Sequence, residues 1–241
     1  MSHRNVFRVV SVLVIALGLG LNACQPETPF EKELKEYGLL NEDGTYTYGV
    51  PIGEFGTPIN SPSAAVEDLA EVLAIWSEAL GGVDNFIAKV TGEGGMTSII
   101  LDYTGTIAAE KAVFFSKGNS KYPAGLVAIN MLIHTEEMTG MLNRSEFKMS
   151  VAHELAHAFD YKSGLEARNE FERSGAAALS AYSNEPLFDN FAETTAAFLI
   201  GKHHPVGDRY VREWLNAYLV LPNRSGEAAV AYNPDDWQPL E

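Results

Sequence analysis

The chain has 241 residues, and its 32 acidic and 17 basic side chains give a net charge of −15. This acidic balance argues against nucleic acid as a partner and against direct docking on anionic lipid. Hydrophobic residues make up 46% of the sequence and only one cysteine occurs, so the chain can build a core but no internal disulfide. The length fits one domain of moderate size, with a monomer as the default expectation.

The N-terminus has the pattern of an export signal. Arg4 and Arg8 precede an apolar run over residues 9–21. The run is too short to span a bilayer, but it has the length of the hydrophobic region of a signal peptide. It leads into Leu-Asn-Ala-Cys at residues 21–24, which resembles the lipobox of bacterial lipoproteins.

This resemblance implies that residues 1–23 are a lipoprotein signal peptide and that Cys24 carries the lipid. Removal of the signal deletes two arginines and no acid, which brings the net charge to −17. Gln25, where some lipoproteins have aspartate, resembles the signal for sorting to the outer membrane of a Gram-negative host. We therefore expect an exported protein that contacts the membrane of the cell envelope only through its lipid. The alternative is an ordinary cleaved signal that leaves a free thiol.

The segment that follows, residues 24–61, is rich in Pro, Gly, Glu and Thr. We interpret it as a tether that contains one short helix over residues 30–37. The aromatic side chains of Tyr46, Tyr48 and Phe55 are expected to pack near its end. The folded domain is then predicted to cover residues 62–241.

Alternating helix and strand patterns begin this domain. The apolar positions of residues 62–80 have a helical period, and Gly81-Gly82 ends the pattern. Residues 97–103 and 126–133 read as strands, with 112–115 as a weaker candidate. These elements predict an α+β fold, and strands ahead of a buried helix resemble the arrangement of zincin-type domains, which implies a small twisted mixed sheet. An edge strand of such a sheet could hold an extended peptide by strand addition.

A buried helix is predicted next. Phe147, Val151, Leu155 and Phe159 recur every four residues, and Ser145 is placed to cap the helix. Alanines occupy much of the remaining circumference, which leaves little of the helix polar. Such a helix is buried and suits a dry site.

This helix carries His153-Glu154-Leu155-Ala156-His157, the H-E-x-x-H pattern of zinc-dependent hydrolases. Residues four apart lie on one helix face with Cβ atoms about 5–6 Å apart, so both imidazoles can reach one metal ion. Glu154 points to the side of that ion, where it can take a proton from the attacking water. The alternative is a buried helix whose histidines bind backbone carbonyls, which leaves two imidazoles beside a carboxylate at a high desolvation cost.

Two further helices are predicted downstream, over residues 186–200 and 206–220. Three histidines of the predicted domain lie outside the motif, and of these the pair His203-His204 could supply a secondary metal contact. His134 follows a strand, and His203 and His204 follow a helix end; we expect all three to be exposed.

A catalytic zinc needs three protein ligands and one open position. The chain has no second cysteine, and Asp160 and Ser163 replace the glycine and third histidine of the metzincin pattern. No methionine follows Met149, so a Met-turn is excluded as well. The remaining option is a carboxylate on the helix over residues 186–200. Asp189 and Glu193 both qualify, because they lie four residues apart on one face.

The residues around these acids resemble a known group. Tyr182-Ser183-Asn184-Glu185 followed by Asp189-Asn190-Phe191-Ala192-Glu193 is similar to the Tyr...Glu-x-Phe-Ala-Glu signature that follows H-E-x-x-H in anthrax lethal factor-like metallopeptidases. That group includes secreted Pro-Pro endopeptidases. The chain also looks like zinc-binding metallopeptidase lipoproteins of bacterial envelopes. The likeness covers residues 145–200 and implies a zincin-like fold of the gluzincin type.

In the family, the first acid of the signature binds zinc, the second supports a histidine ligand, and the tyrosine stabilises the oxyanion. By position, these roles fall on Asp189, Glu193 and Tyr182. The chain departs from the family at Asp189, where the pattern has glutamate. Because aspartate is one methylene shorter, either the two helices approach more closely or Glu193 is itself the ligand. We favour Asp189 as the third ligand, since carboxylates commonly support metal-bound histidines.

Together these features predict a lipid-anchored zinc endopeptidase with one Zn²⁺ and a peptide or protein substrate. His153 and His157 bind zinc with one downstream acid, Glu154 is the general base, and Tyr182 helps to hold the oxyanion. One alternative is a non-catalytic zinc-binding or scaffold lipoprotein with a degenerate zincin site. Another is an amidohydrolase that acts on cell-wall material.

Overall fold

The computed structural model describes residues 26–58, 63–136, 139–173 and 187–200. In these residues, helices pack on one mixed sheet in an α+β arrangement. No helix in this part of the chain is long and apolar enough to cross a membrane. The predictions that fall outside it concern the signal peptide, the helix over residues 206–220, Cys24, Tyr182, His203 and His204.

The described chain begins with a well-capped helix, α1 (Pro29–Glu36). The Thr28 hydroxyl accepts a hydrogen bond from the Glu31 N–H at 3.1 Å, and the Glu31 carboxylate accepts one from the Thr28 N–H at 2.8 Å. This reciprocal pair satisfies two backbone donors at the helix start. Phe30 and Leu34 lie in the main core, so α1 is held by packing as well as by its cap.

The interpretation of residues 24–61 as a tether is therefore wrong for residues 26–58. Leu39 is buried after α1, and strand β1 (Ile52–Phe55) is part of the sheet. The composition of this segment is typical of a linker, but its few apolar residues are spaced so that they reach the core.

The aromatic residues predicted to pack in this segment do so. Tyr48 is buried, and its ring meets Phe86 edge-on with the ring centroids 5.4 Å apart. Tyr46 packs against the same core, and Phe55 packs on the opposite side of the sheet.

The Leu34→Ala variant tests whether this segment is part of the domain. Leu34 is fully buried, so its truncation is expected to lower the free energy of unfolding by about 2–4 kcal/mol. The matched control is Lys32→Ala on the exposed face of the same helix, with an expected change below about 0.5 kcal/mol. Urea unfolding followed by tryptophan fluorescence measures both. Equal midpoints for the two variants would contradict the packing of α1.

Helix α2 (Ser63–Ala79) confirms the predicted helical period. Its buried side carries Val66, Leu69, Val72, Leu73 and Trp76. A second helix that the sequence analysis did not separate, α3 (Val83–Val90), follows directly after the glycine pair. Both helices contact the helix that carries the histidine motif.

The sheet has the strand order β1-β2-β4-β3. Strands β2 (Ser98–Asp102) and β4 (Leu126–Asn130) run parallel to each other and to β1. Strand β3 (Ala112–Phe114) is antiparallel to β4 and lies at the edge. All three predicted strands are thus present, and the prediction of a small mixed sheet is confirmed.

Strand β4 ends earlier than predicted. The side chain of Asn130 accepts a hydrogen bond from the Leu132 N–H at 3.1 Å and caps the short helix α4 (Met131–His134). This local bond gives the backbone an alternative to the strand ladder, so the apolar run over residues 131–133 turns away from the sheet.

The prediction that His134 is exposed is wrong. Its side chain is fully buried, with Nε2 3.1 Å from the carbonyl oxygen of Lys111 and the ring edge-on to Phe147 at 5.8 Å. Burial lowers its pKa to about 4. The imidazole is therefore neutral in the folded protein at neutral pH, and it ties α4 to the residue before β3.

This burial predicts a loss of stability in weak acid. The pKa of His134 in the folded protein lies below its ordinary value of 6.5. As the pH falls, the unfolded chain therefore binds a proton at this histidine at a higher pH than the folded protein does. The stabilisation is complete above about pH 6.5 and is lost as the pH falls towards 4. Between pH 7.5 and 5, the wild type is expected to lose about 2 kcal/mol more than His134→Gln, whose side chain does not titrate. Urea unfolding at the two pH values measures the difference. Equal losses in both proteins would show that His134 does not titrate on unfolding.

The predicted motif helix is α5 (Arg144–Lys162), and its residues from Phe147 to Asp160 are buried apart from Lys148. The cap is Asn143 rather than Ser145, because the Asn143 side chain accepts from the Glu146 N–H at 3.3 Å.

Arg144 fixes the start of α5 on α2. Its Nε lies 3.0 Å and its Nη2 2.6 Å from the fully buried carboxylate of Asp68. Helix α6 (Glu166–Arg173) follows α5, and α7 (Leu187–Leu199) confirms the predicted downstream helix. Of all pairs of described elements, α5 and α7 pack against each other most extensively.

Candidate metal centre

Both histidines of the motif project from the buried α5 helix towards α7. His153 and His157 are 2% and 9% exposed, and their Nε2 atoms lie 3.0 Å apart. The helical spacing therefore brings the two rings together as predicted. At this distance the two nitrogens need a shared proton or a shared cation, since two N–H groups facing each other repel.

The third donor is on α7. Oδ1 of Asp189 lies 3.2 Å from Nε2 of His157 and 3.6 Å from Nε2 of His153. Asp189 is also buried, at 5% exposed. These three residues are the group that could hold a metal ion in the described chain, with donor atoms within 4.8 Å of one another. Because α7 packs tightly on α5, the shorter aspartate side chain reaches both imidazoles.

The donor set fits a zinc ion. Two imidazole nitrogens and one carboxylate oxygen, with a fourth position left to water, form a common catalytic zinc site. Tetrahedral zinc with bonds of about 2.0–2.1 Å separates its ligand atoms by about 3.3–3.4 Å. The observed separations of 3.0, 3.2 and 3.6 Å lie on both sides of that value.

The electrostatics of the group favour a charged aspartate. Burial acts to raise the pKa of Asp189, but hydrogen bonds and charge interactions with His153 and His157 outweigh it and lower the pKa. Burial likewise acts to lower the pKa of His153, yet the pKa is raised by Asp189 and by the charges of Glu154 and Glu193. The pocket is therefore arranged to stabilise positive charge between the imidazoles and the carboxylate.

Glu193 lies one helical turn beyond Asp189 and is fully buried. Its carboxylate is outside the group of three close donor atoms, but its charge acts on His153. The structure therefore brings Asp189 into direct reach of both histidines, whereas Glu193 acts on His153 through its charge.

Glu154 is buried beside the donor group, at 7% exposed. Burial raises the pKa of its carboxyl, while the charges of His153 and His157 and the nearby backbone N–H of Phe114 oppose the rise. Phe114 belongs to the edge strand β3. The packing of the motif helix on the edge strand brings this N–H near Glu154 and leaves no signal in the sequence, because every residue except proline supplies a backbone N–H.

Asp160, at the position of the metzincin glycine, has a structural role. It is fully buried and accepts a hydrogen bond from the Arg168 N–H at 3.1 Å. Its Oδ2 lies 3.5 Å from the Arg168 Nε. Asp160 therefore joins the end of α5 to α6. Tyr182, the predicted oxyanion donor, lies outside the described residues.

Comparison with known proteins adds no relative, because the chain matches no protein-family model, no curated protein and no solved structure.

Proposed function

We propose that this protein is a zinc-dependent peptidase. The observation that carries the proposal is the meeting of His153, His157 and Asp189 around one point, with Glu154 beside them on α5. Two imidazoles and one carboxylate make up the donor set, and an adjacent carboxylate outside that set makes up the general base, of metal-assisted hydrolysis. A purely structural metal site is normally closed by a fourth protein ligand.

When bound, zinc would lower the pKa of a coordinated water and polarise the scissile carbonyl. Glu154 takes the proton from the attacking water and passes it to the leaving amine. The nearby Phe114 N–H favours the charged form of this carboxylate. Asp189 balances part of the positive charge, and Glu193 keeps negative charge near His153.

The edge strand supports a peptide as the substrate. The backbone groups of Lys111 and Phe115 bond to β4, so by alternation those of Ala112 and Phe114 point to the side of β3 on which no other described strand lies. The Phe114 N–H is next to Glu154. An extended peptide added along this edge would therefore pass the general base, which favours a peptide bond over other amides.

Export and anchoring complete the proposal. The signal-like N-terminus and Cys24 favour a protein tethered by lipid to the bacterial cell envelope. Because the chain is acidic, an anionic membrane surface would repel it, and the attachment would depend on the lipid.

Two measurements on the purified protein test this function together. Zinc content is determined by elemental analysis, and cleavage of a mixed peptide library is followed by mass spectrometry. We expect one zinc per chain and cleavage that stops when the metal is removed and returns when it is restored. One bound zinc with no cleavage would favour the scaffold lipoprotein instead. Products from cell-wall fragments but not from peptides would favour the amidohydrolase.

A further inference from the structure

An aromatic pair stands beside the proposed general base. The rings of Phe114 and Tyr161 lie with their centroids 5.7 Å apart and their planes tilted by 57°. Phe114 lies on the edge strand that packs against α5, and its backbone N–H is close enough to Glu154 to lower the pKa of that carboxyl. Tyr161 follows His157 by four residues and so lies one helical turn further along the same side of α5. The pair therefore borders the site on both the strand and the helix.

The Tyr161 ring is exposed where most rings of this domain are buried. Among the described residues, the large exposed hydrophobic side chains are Leu132, Met141 and Tyr161. Tyr161, at 36% exposed, is the one that packs against the edge strand. Phe114 beneath it is half-buried and rests on the main core. Phe114 and Tyr161 therefore form an aromatic surface that is supported by the core on one side and exposed to solvent on the other.

We infer that Phe114 and Tyr161 determine specificity by binding a large apolar or aromatic side chain of the substrate next to the scissile bond. This inference rests on the proposed function. A strand advances about 3.3 Å per residue, so a peptide that passes Glu154 along β3 places a side chain within one or two residues of the scissile bond over this pair. An apolar side chain stacked there removes exposed ring surface from water, whereas a charged side chain would lose hydration without gaining a partner.

The test compares Tyr161→Ala with Tyr161→Phe in the peptide-library digest. Wild type is expected to prefer Phe, Tyr, Leu or Met at one position near the cleavage site. Tyr161→Ala should lower kcat/KM for those peptides about 10-fold, mainly through KM. Peptides with alanine at that position should change less than about 2-fold. Tyr161→Phe keeps the ring and should retain the preference. Met141→Ala removes an exposed apolar side chain on a different loop and is the matched control.

Binding to the Glu154→Gln variant separates this inference from the proposed function. Fluorescence anisotropy of labelled peptides measures affinity without turnover, in the presence and absence of the Tyr161→Ala change. If wild type cleaves peptides but Tyr161→Ala keeps the same preference, the inference is overturned and the peptidase remains. If no peptide is cleaved but apolar peptides still bind about 10-fold less well without the Tyr161 ring, hydrolysis is overturned and the binding surface remains. If neither cleavage nor binding depends on the apolar side chain, the inference fails in both forms.

Discussion

Replacing Glu154 with glutamine is expected to lower kcat/KM for peptide hydrolysis by about 10³-fold while zinc stays bound. Glutamine has nearly the same shape and can still lie against the Phe114 N–H, but it cannot accept the water proton. Glu154 is not among the three close donor atoms, so the metal content should not change. The loss should therefore appear in kcat rather than in the zinc stoichiometry.

The measurement pairs steady-state cleavage of a fluorogenic peptide with elemental analysis of the same preparation. Glu78→Gln, on the exposed face of α2, makes the same chemical change away from the site and should behave as wild type. Wild-type turnover in Glu154→Gln would rule out the proposed mechanism. Loss of zinc together with activity would instead place Glu154 among the ligands.

Replacing Asp189 with asparagine is expected to weaken zinc binding by more than about 100-fold. The change keeps the volume of the side chain but removes the charge that faces both imidazoles at 3.2 and 3.6 Å. Glu193→Gln should weaken binding less, by about 10-fold, because outer partners of metal ligands typically contribute about 10–100-fold to affinity. The two variants thus rank the acids that the sequence alone leaves open.

Competition with a chromogenic chelator at fixed pH measures both affinities. The unfolding midpoint of each metal-free protein is the control for folding, since both side chains are buried. A larger loss in Glu193→Gln than in Asp189→Asn would reverse the two roles.

The motif helix could be predicted from sequence because its evidence is local. The four-residue period from Phe147 to Phe159 and the two histidines each depend on neighbours within one or two turns. The start of α5 was predicted two residues too far along, since Asn143 and Ser145 are both good capping residues. In the structure Asn143 is the cap, because its side chain accepts the hydrogen bond from the Glu146 N–H.

The identity of the third donor and the packing of the N-terminal segment could not be predicted from sequence, because both depend on distances between elements. Asp189 and Glu193 share a helix face, so the periodicity of α7 does not rank them. Only the approach of α7 to α5 places Asp189 nearer to the imidazoles. His134 was misjudged for a related reason, because a polar residue after a strand is usually exposed and the carbonyl of Lys111 is distant in sequence.

The early start of the folded domain sets the geometry of any membrane attachment. If Cys24 carries a lipid, only residues 25–27 separate it from the Thr28 cap of α1. Four residue steps of fully extended chain reach about 14 Å at most. The anchoring segment is then short, and the start of α1 stays within about 14 Å of the lipid-bearing residue. An enzyme held this way would sample protein segments close to the bilayer surface rather than chains that diffuse freely in the surrounding compartment.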